Sequence, residues 1–323
     1  MRTTRTTLLA GALCLATSLA GAGASPAVAA RAPQAPAATP CPAGPTGSIT
    51  NAGVTVTFGA PTRDKGGQDS SLKPGYIFQV VHVTLRNHGT FTYKYNPLDF
   101  ILLDPGAHAY EEGSSYDNNL SQAIDMGSLK PGQTIAGQIA YIVPAPLTPA
   151  AISWQPTGLG LDQPGGDKLD TDPRNIRLPG YKGSATRCPA GPTGATTLDG
   201  VTVTVGTIKH GGHGDLLKRG DLFQELHVTM RDAGTYSYEY NPNDFIALDA
   251  GAREYPQVTA YDNTLAQPID TGTLHKGATA TGDLAFAVPA GVTIVAVRWI
   301  PTGLGLQQNA SLDISNQIIR LPT

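Results

Sequence analysis

The sequence predicts an all-β protein made of two tandem antiparallel β-sandwiches, and three observations point to this fold class. The segment Tyr95–Asp104 returns 145 positions later as Tyr240–Asp249, with the Tyr-Asn-Pro start and the Asp-Phe-Ile core kept in both copies. Glycine and proline are abundant, at 38 and 26 of 323 residues, which favours many short strands and turns. Apolar and polar residues alternate over short stretches, and no stretch carries a helical period of useful length.

Residues 1–30 have the features of a secretory signal peptide. Arg2 and Arg5 give a positively charged start, an apolar stretch follows at 8–20, and Ala27-Val28-Ala29 fits a cleavage site of small residues. The apolar stretch is too short to cross a bilayer, and no later stretch comes close to the required length. We therefore expect an exported protein that does not span the membrane and is extracellular or associated with the cell wall.

The charge of the mature chain excludes two classes of partner. Loss of Arg2 and Arg5 with the signal peptide takes the formal net charge from −3 to −5. Nucleic-acid binding needs a basic surface to neutralise phosphates, and binding to anionic lipids needs a cluster of basic residues. Neither partner is expected for a chain with this charge balance.

Three segments are expected after the signal peptide at 1–30. Residues 31–40 form a spacer rich in proline and alanine, with few apolar side chains to bury. The first sandwich domain is predicted at 41–183 and the second at 184–323. Each begins with the heptad Cys-Pro-Ala-Gly-Pro-Thr-Gly.

The cysteines of these heptads, Cys41 and Cys188, are disulfide candidates, because an exported protein meets an oxidising environment. A bridge between them would close a long loop, which stabilises the fold by at most about 5 kcal/mol in the loop-entropy account. A sandwich with an odd number of strands, however, separates its two ends by roughly 17–20 Å, beyond the reach of a disulfide. The segment Leu178–Arg187 is long enough to run back over that distance, since ten extended residues span about 33 Å. A bridge and a pair of free or intermolecular thiols both remain open.

The first strands of each copy are indicated by strict alternation. Residues 54–58, Val-Thr-Val-Thr-Phe, match 201–205 in the second copy, and each predicts a strand with one buried face. The longest predicted strand, 76–86, places Ile77, Val81, Val83 and Leu85 on one face and His82, Thr84 and Arg86 on the other. Such a period of two is typical of an antiparallel strand with one solvated face. His82 and its counterpart His227 are thus predicted as surface residues paired across strands rather than as catalytic bases.

The repeated segment supplies the next elements. Asn-Pro requires an extended or turn conformation at the asparagine, and Phe100–Leu103 is a short buried strand. The remaining strands of the first copy are a brief one led by Tyr110, one from Thr134 to Val143, one containing Ile152 and Trp154, and one at 175–178. About seven strands at this spacing in each copy predict an immunoglobulin-like sandwich.

These motifs resemble a known family. The long strand ending in Arg-Asn-His-Gly, the segment Asn-Pro-Leu-Asp-Phe-Ile-Leu-Leu-Asp-Pro-Gly, and the later Leu-Lys-Pro-Gly-Gln-Thr-Ile-Ala-Gly and Ile-Val-Pro are similar to those of DUF4352. The resemblance covers Val54–Trp154 and Val201–Trp299. It implies secreted bacterial domains with an immunoglobulin-like sandwich of the telokin-like (MPT63-like) type. Because the shared motifs are turn and core positions, the resemblance implies the fold and transfers no catalytic or binding residue.

Acidic and histidine residues in the loops are the candidates for a metal site. The carboxylates recur in both copies, and the histidines occur in one loop of the second: Asp104, Asp117, Asp249, Asp262, His210 and His213. Calcium needs several oxygen ligands brought together, but this spacing matches no compact calcium loop. Aspartate before glycine or proline is also ordinary turn chemistry. We interpret the aspartates as turn or capping residues. His210 and His213 could hold zinc or copper loosely, but the first copy has no histidine at that place and a closed site needs about four ligands, so we expect no metal and no cofactor.

Tyrosines near the repeated segment are the candidates for ligand contact, since exposed tyrosines bind proteins and sugars well. The predicted contact residues are Tyr110, Tyr116, Tyr255 and Tyr261. Tyr95 and Tyr240 are interpreted as structural, and Trp154 and Trp299 follow the inward parity of their strands.

The sequence contains no nucleophile elbow, phosphate loop, paired histidine motif for zinc or dinucleotide fingerprint. Asp99 and Asp104 are an odd number of residues apart, so regular strand geometry sends them to opposite faces, against a glycosidase-like pair. We therefore predict a secreted, non-catalytic binding or interaction protein with a protein, cell-envelope or glycan ligand. The alternative is a metal-dependent or acid/base hydrolytic enzyme that uses the acidic loops.

Overall fold

The structure is a computed structural model, and it describes residues 41–66, 72, 74–110, 112–114, 119–156, 174–183, 188–211, 217, 220–235, 237–259, 265–301 and 316–322. The predicted signal peptide and spacer, residues 1–40, lie outside the described residues. Both sequence repeats belong to one compact unit, Thr39–Thr323.

The first repeat is built from short antiparallel strands. They are β1 (Ser48–Asn51), β2 (Val54–Phe58), β3 (Thr62–Asp64), β4 (Tyr76–Asn87), β5 (Tyr93–Tyr95), β6 (Phe100–Leu103), β7 (Ala109–Tyr110), β8 (Gly127–Leu129), β9 (Thr134–Pro144), β10 (Ala151–Trp154) and β11 (Arg174–Arg177). One sheet has the order β1-β2-β4-β3 with β9 on β4, and the other has the order β11-β10-β6-β7. Strands β5 and β8 form a separate two-stranded ribbon.

The second repeat follows the same plan. Its strands are β12 (Ala195–Leu198), β13 (Val201–His210), β14 (Asp221–Asp232), β15 (Tyr238–Tyr240), β16 (Phe245–Asp249), β17 (Glu254–Pro256), β18 (Gly272–Leu274), β19 (Thr279–Pro289), β20 (Ile294–Trp299) and β21 (Gln317–Arg320). The two main sheets have the orders β12-β13-β14-β19 and β17-β16-β20-β21, with β15-β18 as the ribbon.

One difference between the repeats has a local cause. The second repeat has a single strand, β13, whose register shifts between Val205 and Ile208. The first repeat has two strands, β2 and β3, over the same course, and Pro61 occupies the place of Ile208. Because proline donates no hydrogen bond to a ladder, the strand is interrupted at that point.

Each repeat has its own core between its two main sheets. In the first, Val81, Val83 and Leu85 of β4 meet Phe100 and other residues of the opposite sheet, as the alternation predicts. In the second, Leu226, Val228 and Met230 of β14 do the same against the sheet that holds Phe245 and Trp299. The fold class, two tandem immunoglobulin-like antiparallel sandwiches in an all-β chain, is confirmed. The domain boundaries at 183 and 184 stay a prediction.

The first half of β4 departs from the predicted pattern of one solvated face. Phe78 and Val80 point away from the main core, yet they are buried and form a second cluster with Ala140. This cluster is covered by Leu72 and Leu120, which pack on it from connecting segments. The alternation along a strand assigns each side chain to one of two faces of the sheet, but the packing of loops decides which of those faces is exposed to solvent.

Candidate functional site at the junction of the two repeats

The two repeats meet through their matching heptads. Cys41 and Cys188 are joined in a disulfide, with their Cα atoms 6.0 Å apart. Beside it, the Ala43 amide donates to the Gly251 carbonyl at 2.8 Å, and the Ala190 amide donates to the Gly106 carbonyl at 2.8 Å. Each heptad therefore binds the Asp-x-Gly turn of the other repeat, in a reciprocal arrangement.

The heptads lie side by side because each repeat brings its start next to its end. Thr46 forms a parallel bridge with Arg177, and Thr193 forms the same bridge with Arg320. The start of each repeat thus runs beside its own last strand, β11 or β21. The two ends of a repeat are therefore neighbours, and the separation of roughly 17–20 Å expected from an odd number of strands does not occur.

A buried ion pair lies at the same junction. Arg298 donates from Nη1 to Glu254 Oε1 at 2.5 Å, and both side chains are 0 % exposed. The pair belongs to the second repeat, but its other contacts are with the first: Arg298 Nη2 donates to the Ala107 carbonyl at 2.7 Å, and Gln155 Nε2 donates to Glu254 Oε2 at 2.6 Å.

Beside the junction lies a groove of about 670 Å³ lined by residues of both repeats. The first repeat contributes Gly44, Arg174 and Asn175, and the second contributes Asp249, Ala250 and Arg253. Asn175 is 3 % exposed; its Nδ2 donates to the Ala252 carbonyl at 2.8 Å, and its Oδ1 has no hydrogen-bond partner among the described residues. The charged residues of the described lining are Arg174, Arg253 and Asp249, and the other lining residues are uncharged.

The carboxylate of Asp249 shapes this groove by closing a turn. Its Oδ1 accepts from the backbone amides of Gly251 at 2.8 Å and Arg253 at 2.9 Å. Its Oδ2 accepts from Arg253 Nε at 2.6 Å and from the Tyr255 hydroxyl at 3.3 Å. Asp249 thus holds the guanidinium group of Arg253 in place. Burial lowers the pKa of Arg253, but the hydrogen bond to Asp249 and the charge of that carboxylate together outweigh it, so the pKa is raised.

Asp104 closes the matching turn in the first repeat. Its Oδ1 accepts from the amides of Gly106 at 2.8 Å and His108 at 2.9 Å, and its Oδ2 lies 3.0 Å from His108 Nδ1. Aspartates of this kind terminate strands and satisfy backbone donors. Their oxygens are engaged in turns in both copies.

Of the other metal candidates, the structure describes His210 alone. Asp117, Asp262 and His213 lie outside the described residues, and His210 is exposed at the end of β13. Within the described part of the chain, no three histidine, cysteine, aspartate or glutamate side chains lie close enough together to hold a metal ion.

The repeated segment forms a buried network rather than a surface. Asn96 is extended and its side chain accepts from the Leu98 amide at 3.0 Å, which caps a 3₁₀ turn at Pro97–Asp99. Asp99 is buried, and its Oδ2 accepts from the Tyr93 hydroxyl at 3.3 Å. The Trp154 indole in turn donates to that hydroxyl at 3.2 Å. The second repeat has the same chain of bonds through Trp299, Tyr238 and Asp244.

The tyrosines predicted to contact a ligand are placed differently. Tyr255 is 8 % exposed and belongs to the second core, so it cannot present its ring to a partner as the sequence analysis expected. Tyr110 is half-buried against the first core, where burial and then the nearby Asp104 raise its pKa. Tyr116 and Tyr261 lie outside the described residues. Both described tyrosines fall on strand positions whose side chains turn toward the core.

Comparison with known proteins supports the resemblance seen in the motifs. Residues 43–156 and 195–297 match the domain of unknown function DUF4352. The chain belongs to the DUF4352 family. The two matched regions coincide with the two sandwiches, so the family's domain is present twice. No protein among the curated ones matches the chain.

Three solved structures are similar to parts of this DUF4352 tandem. The yjhA protein from Bacillus subtilis is 16 % identical, with a TM-score of 0.35, and the match covers 42 % of this chain and 99 % of that one. The ycdA protein from Bacillus subtilis subsp. subtilis str. 168 is 9 % identical, with a TM-score of 0.34, over 57 % of this chain and 73 % of that one. An uncharacterized β-sandwich protein from Clostridium difficile 630 is 9 % identical, with a TM-score of 0.23, over 43 % and 98 %.

The sequence patterns predict neither the groove nor the junction. Arg298 and Glu254 stand where the first DUF4352 copy has Ser153 and Ala109, and Arg174 and Arg253 stand where the other copy has Gln317 and His108. A charged residue in one copy where the matched position of the other copy has a different residue is the one sequence signal that could have pointed to the junction and the groove. Among the described residues, none of the helical segments is long and apolar enough to cross a membrane.

Proposed function

We propose that this protein is an exported, non-catalytic binding protein whose ligand occupies the groove at the junction of the two DUF4352 repeats. The observation that carries the proposal is that this groove of about 670 Å³ is shared between the repeats, with Arg174 and Asn175 from one and a turn with Arg253 from the other. Binding sites occur preferentially in such clefts between domains.

The positions of the carboxylates support binding over catalysis. A hydrolytic enzyme needs two carboxyl groups that converge on one bond, or a carboxylate with a free oxygen near a metal. Asp99 and Asp244 are buried under tyrosine hydroxyl groups, and Asp104 and Asp249 are bonded to the backbone of their own turns. Asp249 is also the single carboxylate among the described residues that line the groove.

Export is supported by the chemistry of the two heptads. Disulfides form and persist in oxidising compartments and are rare in the cytosol. The bond between Cys41 and Cys188 fits the signal peptide predicted at 1–30. The ligand is then a component of the medium or of the cell envelope.

Blocking the groove tests the proposal. Ala250 is exposed and lines the groove, so Ala250→Trp fills it, while Pro105→Trp adds the same ring at the matching turn of the first repeat. Wild type and both variants are mixed with an insoluble cell-wall preparation, and the bound fraction is measured at several protein concentrations. We expect Ala250→Trp to weaken retention about tenfold or more, while Pro105→Trp binds as wild type does. Retention that is the same for all three proteins, or release of soluble fragments from the walls, would overturn the proposal.

A further inference from the structure

We propose that the groove recognises an oxyanion of its ligand, a carboxylate or a phosphate group, through Arg174 and Arg253. This inference rests on the proposed function, since it names the chemistry of the ligand for the same groove. Arginine matches both anions because its planar fork presents paired N–H donors to two oxygens at once.

The orientation of Arg253 is the first argument. Its Nε donates to Asp249 Oδ2 at 2.6 Å, so this edge of the guanidinium group is held by the turn. The side chain is 54 % exposed, and its two Nη groups have no partner among the described residues. Asp249 also accepts from two backbone amides and a tyrosine hydroxyl, so its charge is already well solvated by the protein. The terminal donors of Arg253 remain to bind an anion.

The second guanidinium group comes from the other repeat. Arg174 begins β11, lines the same groove and is half-buried. A cation in a partly desolvated cleft attracts an anion more strongly than one on an open surface, because the effective dielectric constant is lower.

The duplicated architecture supplies an internal comparison. The reciprocal place beside the other heptad has the same turn, with Asp104 in the place of Asp249. There, however, Gln317 replaces Arg174, His108 replaces Arg253 and Ile318 replaces Asn175. Identical backbone contacts thus occur with and without the two guanidinium groups. The arginines are therefore not required by the junction itself, which favours a role in ligand binding.

Small anions can test this inference directly. The mature protein, with its disulfide intact, is titrated with sodium acetate and with methyl phosphate while the arginine Nε–Hε signals are followed by NMR. Sodium chloride at equal ionic strength is the control. We expect saturable shifts at Arg174 and Arg253, with at least one of the two anions binding, and a weakening of binding at higher salt because of screening. The anion that binds more tightly identifies the source of the oxyanion.

Variants separate binding from folding. Arg174→Gln and Arg253→Gln are each expected to weaken the anion at least tenfold, and Arg253→Lys to weaken it less, since it keeps the charge but loses the fork. His108→Gln, at the position matched to Arg253, and Arg231→Gln, on the exposed face of β14, are expected to leave the affinity unchanged. Thermal melts show whether each variant is folded.

Two results would overturn the inference. One is a set of shifts that does not saturate or that chloride reproduces, and the other is equal anion affinity in wild type and in both glutamine variants. If the anion fails to bind while Ala250→Trp still abolishes retention on cell walls, the groove remains the binding site and its ligand is not an oxyanion. If Ala250→Trp has no effect either, the proposed function falls as well.

Discussion

Tyr93 and Tyr238 show how single residues satisfy the polar groups of these cores. Each hydroxyl accepts a hydrogen bond from a tryptophan indole and donates one to an aspartate, with Tyr238 lying 2.6 Å from Asp244 Oδ2. Burial raises the pKa of both hydroxyl groups, and the neighbouring carboxylate raises it further. Since an unpaired buried polar group costs about 1–3 kcal/mol, the three residues of each network depend on one another.

These raised pKa values predict a loss of stability in alkali. In the unfolded chain tyrosines ionise near pH 10, while Tyr93 and Tyr238 stay protonated in the folded state. Above that pH the unfolded state binds fewer protons than the folded state, so each of the two tyrosines lowers the free energy of unfolding by about 1.4 kcal/mol per pH unit. Below pH 10 their contribution is constant.

Urea unfolding between pH 8 and pH 11 measures this effect. The double variant Tyr93→Phe/Tyr238→Phe is expected to be less stable at pH 8, because two buried hydroxyl groups are lost, but to lose stability less steeply above pH 10. Parallel pH profiles for wild type and variant would show that these hydroxyl groups titrate in the folded protein as they do in the unfolded chain.

At the scale of the element, the short strand after each Asn-Pro turn lies at the centre of a core. Phe100 starts β6 and is 0 % exposed, and its ring meets Phe58 of the opposite sheet edge-on at 5.7 Å between centroids. Pro97–Asp99 sets the direction of the strand, because the capped 3₁₀ turn delivers the chain to β6 with Phe100 pointing inward. Turn chemistry and core packing thus act on the same few residues.

Truncation of that ring should destabilise the protein strongly. We expect Phe100→Ala, and likewise Phe245→Ala in the second repeat, to lower the free energy of unfolding by about 3–5 kcal/mol, because a cavity replaces a fully buried ring. Leu98→Ala, two residues earlier, is the matched control: Leu98 is 61 % exposed, so its change should stay within about 0.5 kcal/mol. Denaturant melts measure both, and a loss below about 1 kcal/mol for Phe100→Ala would contradict the placement of its ring.

At the scale of the whole molecule, the junction joins two separately packed cores into one unit. The disulfide, the reciprocal bonds of the heptads and the buried pair of Arg298 and Glu254 all lie there. The ion pair forms hydrogen bonds with Ala107 and Gln155 of the other repeat, so its geometry depends on how the two repeats are docked on each other. A groove lined from both sides needs such a junction to keep its shape.

The ion pair should therefore respond asymmetrically to substitution. Arg298→Met leaves Glu254 buried without its cationic partner and is expected to cost about 3–5 kcal/mol of stability, because a buried charge is left uncompensated. The double variant Arg298→Met/Glu254→Met removes both charges and should be destabilised by clearly less than the sum of the two single changes.

Urea unfolding of the four proteins of this cycle, with the disulfide intact, gives the coupling free energy between the two side chains. Asp283→Asn serves as the control, since it weakens the exposed pair with His227 and should change stability by less than about 1 kcal/mol. Additive effects of Arg298→Met and Glu254→Met would mean that the two side chains do not stabilise each other.

The sequence by itself determined the duplicated all-β fold, since alternation along β4 and β14, the Asn-Pro turn and the repeated Asp-Phe-Ile are local patterns that neighbouring residues enforce. It also indicated the turn role of Asp104 and Asp249, because an aspartate before such a turn bonds to amides two and four residues away.

Tertiary structure alone decided the rest. The burial of Tyr255, the covering of Phe78 and the meeting of Cys41 with Cys188 depend on segments far away in the chain. The groove is the clearest case, since Arg174 and Arg253 are 79 positions apart and belong to different repeats. Local periodicity carries no information on such a pair; only the docking of one sandwich on the other brings their charges to one place.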